Sequence, residues 1–339
     1  MFIFILGFTF VAFLGCLLTS SLQEFDLWII YIAFNLAMLC LAFFMIREFS
    51  EGQVEVPFQT LSVLIGWAMF LIALAEQLHA IHLPGESRIF ILRPAALTGS
   101  FLHYPLIMTF FAYISIQWGK LRHSRFFFWS GVVFASSALL VASRSGLFIV
   151  LFTPLVFTLL NRFKESRKIL FFYGLFVSVL LLIAWTTSGD ESDNLTVRLI
   201  SRISSAAKTD SIGNSGRILN WKRVINDWLE TNMLLGEYTG IVTNSTANLK
   251  GSKVNVAESG LLQLLINFGL LGMLLFYGIL FQVYRFIKKE HVWLRAFFIA
   301  AITQTLFYQS TEVLPYMILM LMLPLISQSM AHQQHKYVI

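Results

Sequence analysis

Charge is what this chain has least of. Asp, Glu, Lys and Arg make up 12% of its 339 residues, against about 25% in a soluble domain. With 57% hydrophobic residues and 34 Phe, such a chain could not cover its own surface with polar groups. An ordinary soluble enzyme and a disordered chain are both excluded. Cysteine is nearly absent too. Cys16 and Cys40 both fall inside apolar runs, which rules out a disulfide scaffold and argues against a bridge between them. His-Glu-x-x-His, paired Cys clusters and a Gly-rich phosphate loop ending in Lys-Ser or Lys-Thr are all missing. No His occurs between His123 and His291, so a Ser-His-Asp hydrolase has no support. Asp190, Glu191 and Asp193 form an acidic run that reads better as a solvated loop than as a metal site. The expectation is therefore no metal and no cofactor.

The net charge of +6 raises the question of nucleic acid. The basic residues, however, sit in short clusters between apolar runs, which is how membrane topology is written. No nucleic-acid partner is expected. The fold class expected is an all-α polytopic membrane protein, forming one integral membrane domain over 1–339.

A membrane-crossing helix needs roughly 20 mainly apolar residues. Ten candidate spans follow, at about 2–18, 27–46, 59–77, 102–118, 126–143, 145–160, 169–185, 260–283, 292–308 and 314–329. The first lacks a basic leader and runs straight into the second, so it reads as a retained helix and not a signal peptide. Three short connections carry the basic residues: Lys120, Arg122 and Arg125; Arg162, Lys164, Arg167 and Lys168; Arg285, Lys288 and Lys289. Counting spans puts all three on one side, the cytoplasm, and both termini with them. The connection after Arg47 falls on the same side despite Glu48, Glu51 and Glu55, because acidic residues weigh little in that rule.

Two outer segments, 78–101 and 186–259, are too long to be mere turns. Within the second, Gly216–Glu230 places Ile218, Trp221, Val224, Ile225, Trp228 and Leu229 at helical spacing. This predicts an amphipathic helix lying on the outer membrane face or over a cavity. Its Arg217, Lys222 and Arg223 would face head groups or an anionic ligand. No internal repeat is visible, and no inverted pair of broken helices of the transporter kind.

Four outer residues could carry chemistry. Arg144 lies in Ala142-Ser-Arg-Ser-Gly146, between two apolar runs without another charge. It reads either as an interfacial Arg whose stem snorkels to water or as an anion contact at the mouth of a cavity. Arg93 and His103 lie in the stretch Leu92–Pro105, which Pro94, Gly99 and Pro105 make an ordered re-entry. A solvated loop Arg explains Arg93 equally well, and a lone His beside aromatics, as His103 is, is more often structural. Glu258 stands where the large loop enters the eighth span. It either complements the helix dipole or takes a proton from, or orients, an acceptor hydroxyl.

These stretches together resemble the O-antigen ligase/polymerase superfamily of bacterial envelope glycan assembly. The resemblance covers roughly 60–330 and rests on four stretches in order. They are Arg93-Pro with Gly99 and His103-Tyr-Pro105; Ser143-Arg144-Ser-Gly146; Gly216-Arg217 with Trp221 and Leu235-Gly236; and Glu258-Ser-Gly-Leu-Leu-Gln263 with Phe268-Gly-Leu-Leu-Gly272. The resemblance implies a helical bundle like that of the GT-C glycosyltransferases, with its active face periplasmic or extracellular, in the bacterial cytoplasmic membrane. It implies transfer of glycan from an undecaprenyl-diphosphate carrier to an acceptor hydroxyl. Arg144 and Arg217 then match arginines that hold the donor diphosphate, Arg93 matches less closely, and Glu258 matches the position opening the span after the large loop. The donor or glycan would also meet Lys222, Arg223 and His103. Members that transfer to lipid A core generally present a His in the large loop. This chain has none there, which favours a polymerase of lipid-linked repeat units over a ligase. Expected partners are the undecaprenyl-diphosphate-linked oligosaccharide, membrane lipids, and a chain-length regulator, flippase and ligase of the same pathway. The rival from another class is a lipid-linked sugar transporter or flippase, which should carry charges near the bilayer midplane and related halves.

Overall fold

The computed structural model describes residues 1–18, 47, 58–84, 93–139, 141, 143–161, 212–230, 232–236 and 258–338. The expected spans at 27–46 and 169–185, the acidic run at 190–193 and most of the large outer loop lie outside the described residues. Among those described, nine α-helices and no strand occur. They are α1 (Phe2–Leu18), α2 (Phe58–Gln77), α3 (Tyr104–Leu121), α4 (Arg125–Ser137), α5 (Arg144–Leu160), α6 (Ile212–Glu230), α7 (Gly260–Phe286), α8 (Val292–Gln304) and α9 (Leu314–Val338), with a 3-10 turn at Ser310–Glu312. Two, α2 and α7, are long and apolar enough to cross a membrane. The helix expected over 126–143 stops at Ser137. Ser136 and Ser137 turn their hydroxyls back onto the Val132 and Phe134 carbonyls, which competes with helix continuation. The helix expected over 292–308 likewise stops at Gln304.

The polarity of α2 runs opposite to that of a helix in water. It buries Gln59, Ser62 and Glu76 while leaving Leu64 63% and Leu71 57% exposed. Hydrocarbon surroundings favour that inversion, because polar groups there must find partners inside the protein. Gln59 donates to Ser329 Oγ, and Glu76 Oε2 accepts from the Ala96 N–H at 2.7 Å.

The residues gather into two compact units, each built from separated stretches of chain. The second unit contains α2 to α5, Ile287–Ala301 and the chain from Ile326 onward. In it, α3 and α4 form a hairpin through a turn in which His123 takes φ 51°. The two helices approach closely at Gly131, where a Cβ would lie 2.5 Å from the Ala112 carbonyl. Small residues allow such contact between apolar helices. Phe157 stacks on Trp293 with centroids 3.9 Å apart, and the Trp293 N–H donates to Gln117 Oε1.

The first unit holds α1, α6, α7 and Ile302–Leu325. Its organising feature is a break in α7. Gly269 has φ 66° and ψ −173°, so the helix forms two limbs. Gly260 and Tyr277, which a straight helix would hold about 25 Å apart, both reach Thr305: the Gly260 N–H donates to its carbonyl and Tyr277 Oη lies 2.6 Å from its hydroxyl. Phe268 and Phe276, one on each limb, both pack against Phe8 of α1. The N–H groups of Leu270 and Leu271 lose their helical acceptors at the break. They donate instead to the carbonyls of Met233 and Leu234, at 2.9 and 3.1 Å. That loop is shaped by Asn232, whose side-chain oxygen accepts from the N–H groups of Leu234 and Leu235, an Asx-type turn. Gly236 and Gly269 both have positive φ, and their backbones touch. A side chain on Gly269 would run into Leu234, and one on Gly236 would lie 2.6 Å from the Gly269 nitrogen.

Candidate functional site

Helix α6 delivers Arg217. Its inward stripe is Trp221, Val224 and Trp228, which pack against Leu261, Leu262, Leu265, Ile266 and Met273 of α7. The expected apolar face is wider; Ile218 and Ile225, 38% and 37% exposed, and Leu229, 53% exposed, lie outside that stripe. Helix α6 therefore packs on α7 along one face and keeps a second apolar strip outside. Lys222 and Arg223 lie exposed on the same helix.

Glu258 comes from the other side of the large loop, 41 residues on in sequence, and its Oε2 accepts from Arg217 Nε. The structure thus joins two residues that the sequence marks independently. The side chains are 30% and 44% exposed for Arg217 and Glu258. An ion pair this open adds about 0–1 kcal/mol at most. Glu258 also has φ 48°, a left-handed conformation that costs a non-glycine residue about 1–3 kcal/mol. The pair does not offset that cost, so neighbouring contacts hold the strained residue in place.

Those contacts are identifiable. The Ser259 hydroxyl donates to the Leu306 carbonyl at 2.8 Å and accepts from the Leu262 N–H. The Gly260 N–H lies 2.9 Å from the Thr305 carbonyl and 3.2 Å from that of Tyr308, and the Leu261 N–H also donates to Thr305. The turn after α8 therefore satisfies the first N–H groups of α7, which would otherwise be orphaned. It also brings in Tyr308, which the sequence reading passed over. Tyr308 lies past the end of α8, in the turn, and feels both charges. Burial pushes its phenol up to about 12; Arg217 opposes the rise and Glu258 adds to it. Tyr308 is consequently a neutral O–H beside the pair. Its sequence signal is the polar run Thr303-Gln-Thr-Leu-Phe-Tyr-Gln-Ser-Thr311 at the end of an apolar helix.

The remaining predicted residues belong to the second unit. Arg144 is the first residue of α5, where a cation meets the positive end of the helix dipole and gains nothing from it. Ser143 and Ser145 share a 2.6 Å hydroxyl contact around it. Gly146 packs on Pro105, to which a Cβ would come within 2.6 Å, so Ser143–Gly146 meets the His103-Tyr-Pro105 stretch. The Arg93 guanidinium lies 5.2 Å from the centre of the Phe101 ring. His103 precedes α3 without capping it, and its Nδ1 lies 3.4 Å from the Thr98 carbonyl. Arg93 and His103 thus have local structural partners.

The four stretches behind the family resemblance pair off, two in each unit. In the first unit Arg217 meets Glu258, and Gly236 meets Gly269. No group of three His, Cys, Asp or Glu side chains suited to a metal occurs among the described residues. No protein-family model, curated protein or solved structure matches the chain.

Proposed function

We propose that this chain is a membrane glycosyltransferase that polymerises lipid-linked oligosaccharide repeat units. It takes the growing glycan from undecaprenyl diphosphate and passes it to a sugar hydroxyl of the next lipid-linked repeat. The proposal includes about ten spans in a GT-C-like bundle, residence in the bacterial cytoplasmic membrane with both termini inside, and chemistry on the outer face. The observation that carries it is the Arg217–Glu258 pair, held at a strained backbone position where the large loop enters α7.

The chemistry asks for little more than such a pair. The bond between the anomeric carbon and the diphosphate oxygen breaks, and a bond from the acceptor oxygen to that carbon forms. Negative charge builds on the departing diphosphate, where a guanidinium donates charge-assisted hydrogen bonds that strengthen through the transition state. Arg217 has this role. Diphosphate binding at Arg217 draws the guanidinium from Glu258, whose freed carboxylate takes the acceptor's proton. General bases of this kind contribute about 10²–10⁴-fold. Tyr308 adds a neutral O–H donor to the departing oxygens. Arg93, Arg144, His103, Lys222 and Arg223 remain candidate donor contacts on the resemblance alone.

A ligase transferring glycan to lipid A core is the alternative within the same chemistry. The broken helix α7 favours the lipid-linked sugar transporter, since discontinuous helices build many transporter sites. Deletion separates the polymerase from the other two, and a point variant separates the transporter. Loss of a polymerase leaves single repeats on the acceptor, loss of a ligase leaves none, and Arg217→Ala in a transporter changes supply without changing chain length.

A further inference from the structure

The turn joining α3 to α4 carries Lys120, Arg122 and Arg125, with His123 between them. No Asp or Glu occurs between Glu86 and Glu165, so α3, α4, α5 and the connections between them hold no negative side chain. The turn is tight. The Ser124 N–H donates to the Gly119 carbonyl at 2.9 Å, the Arg122 N–H to that of Trp118, and His123 takes φ 51°. Lys120 and Arg125 each follow one partner of the Gly119–Ser124 bond, which crowds the three cations at the closed end of the hairpin. Lys120 and Arg125 are exposed and Arg122 is half-buried, so the cluster is open to a ligand from outside.

Topology asks only that such a turn be basic; it does not fix the side chains. Here two of them are seated. Lys120 Nζ lies 5.4 Å from the centre of the Phe157 ring, and the Arg122 guanidinium carbon 4.9 Å from that of the buried Trp118. Phe157 is itself stacked on Trp293. Ring faces attract such cations, and side chains already ordered lose less freedom when an anion arrives.

Beside the cations the surface is aromatic. Phe126 and Trp129 are 61% and 60% exposed. Trp129 stands one turn beyond Arg125, on the same face of α4. A soluble anion, an acidic protein or a nucleic acid would meet the cations and leave these large rings in water. A molecule with a phosphate at one end and apolar chains at the other covers both. Aromatic rings next to Lys and Arg are also the pairing found at headgroup level.

We propose that Lys120, Arg122 and Arg125 bind the headgroup phosphate of an anionic phospholipid whose acyl chains lie against Phe126 and Trp129. The transferase reading has no part in this site. Its assignment to the cytoplasmic leaflet rests on the span count; its chemistry does not.

The test uses purified full-length protein in a neutral detergent. The probes are phosphatidylglycerol and phosphatidylcholine with brominated acyl chains, which quench tryptophan on contact. The signal is the part of the quenching that Trp129→Phe removes. Each cation near an anionic headgroup is worth about fivefold, so the wild type should prefer phosphatidylglycerol at least tenfold. The triple variant Lys120→Gln, Arg122→Gln, Arg125→Gln should quench alike with both lipids, within twofold. The double variant Lys288→Gln, Lys289→Gln neutralises another exposed basic turn of the same unit and should keep the wild-type preference. Equal quenching of the wild type by both lipids, or a preference that survives the triple substitution, would overturn the proposal. Equal loss in the double variant would show a diffuse charge effect and overturn it too, as would displacement of phosphatidylglycerol by free glycerol phosphate. Should the triple variant not fold, Arg125→Gln alone decides. It should melt no lower than the wild type, because a cation opening a helix opposes its dipole, and its lipid preference should fall about fivefold; an unchanged preference there counts against the site.

Discussion

Replacing Gly269 by alanine adds one methyl group at the break in α7. That methyl would be driven into Leu234, and the residue would have to keep φ 66°. With ψ at −173° this is a conformation essentially open to glycine alone, and it costs an L-residue about 1–3 kcal/mol. Relief by shifting the loop stretches the bonds from Leu270 and Leu271 to Met233 and Leu234, each contributing about 1 kcal/mol net. Together the loss comes to about 3–5 kcal/mol, and it falls on the joint between the α6 loop and the broken helix. Thermal unfolding of purified protein should therefore drop by several degrees. Gly216→Ala is the control, because nothing lies within 4 Å of a Cβ there and Gly216 sits inside α6; it should raise stability by about 1 kcal/mol. Equal melting of Gly269→Ala and wild type would refute the broken-helix geometry, since a straight helix accepts alanine at this position without cost.

Other perturbations probe separate parts of the molecule. His291 is fully buried, with Nδ1 2.7 Å from Ser327 Oγ, and burial pushes its pKa down to about 4; Glu290 opposes the shift and Lys288 adds to it. The unfolded imidazole, at about 6.5, binds a proton that the folded one refuses. Stability should thus be full above pH 6.5 and fall by about 3 kcal/mol as pH drops towards 4; melting curves across that range should show it, and His291→Asn should flatten them. Gly131→Ala forces apart α3 and α4 at the Ala112 carbonyl and should cost about 1–3 kcal/mol, visible as a lower melting temperature. Tyr308→Phe removes one neutral donor beside Arg217 and should slow elongation about tenfold, the worth of roughly 1.4 kcal/mol, with melting little changed. Wild-type elongation by that variant would remove Tyr308 from the chemistry.

The sequence shows its helices more plainly than its joints. Apolar length alone places Phe58–Gln77, Arg144–Leu160 and the start of Leu314–Val338 within a residue or two of their observed positions. The run Leu261-Leu-Gln-Leu-Leu-Ile-Asn-Phe-Gly-Leu-Leu-Gly272 reads as one continuous span, yet breaks at Gly269. What makes the break stable is the loop at Leu234, remote in sequence, whose carbonyls replace the lost helical acceptors. No local pattern reports such a partner. The site behaves the same way. Arg217 is visible on an expected amphipathic helix and Glu258 at the entry to a span, but their meeting depends on α6 packing Trp221, Val224 and Trp228 onto α7. Tyr308 escaped notice because a tyrosine at the end of an apolar helix is ordinary until the turn carrying it bonds Gly260.

The central claim is that Arg217 and Glu258 act together in glycan transfer. It is tested most directly by returning wild-type, Arg217→Ala and Glu258→Gln genes to a deletion strain and resolving the surface polysaccharide on a gel. Because the exposed pair adds little to folding, both variants should accumulate in the membrane as the wild type does. The account predicts that only the wild type restores long chains, while the variants leave single repeats on the acceptor. Long chains of normal length from both variants would contradict it.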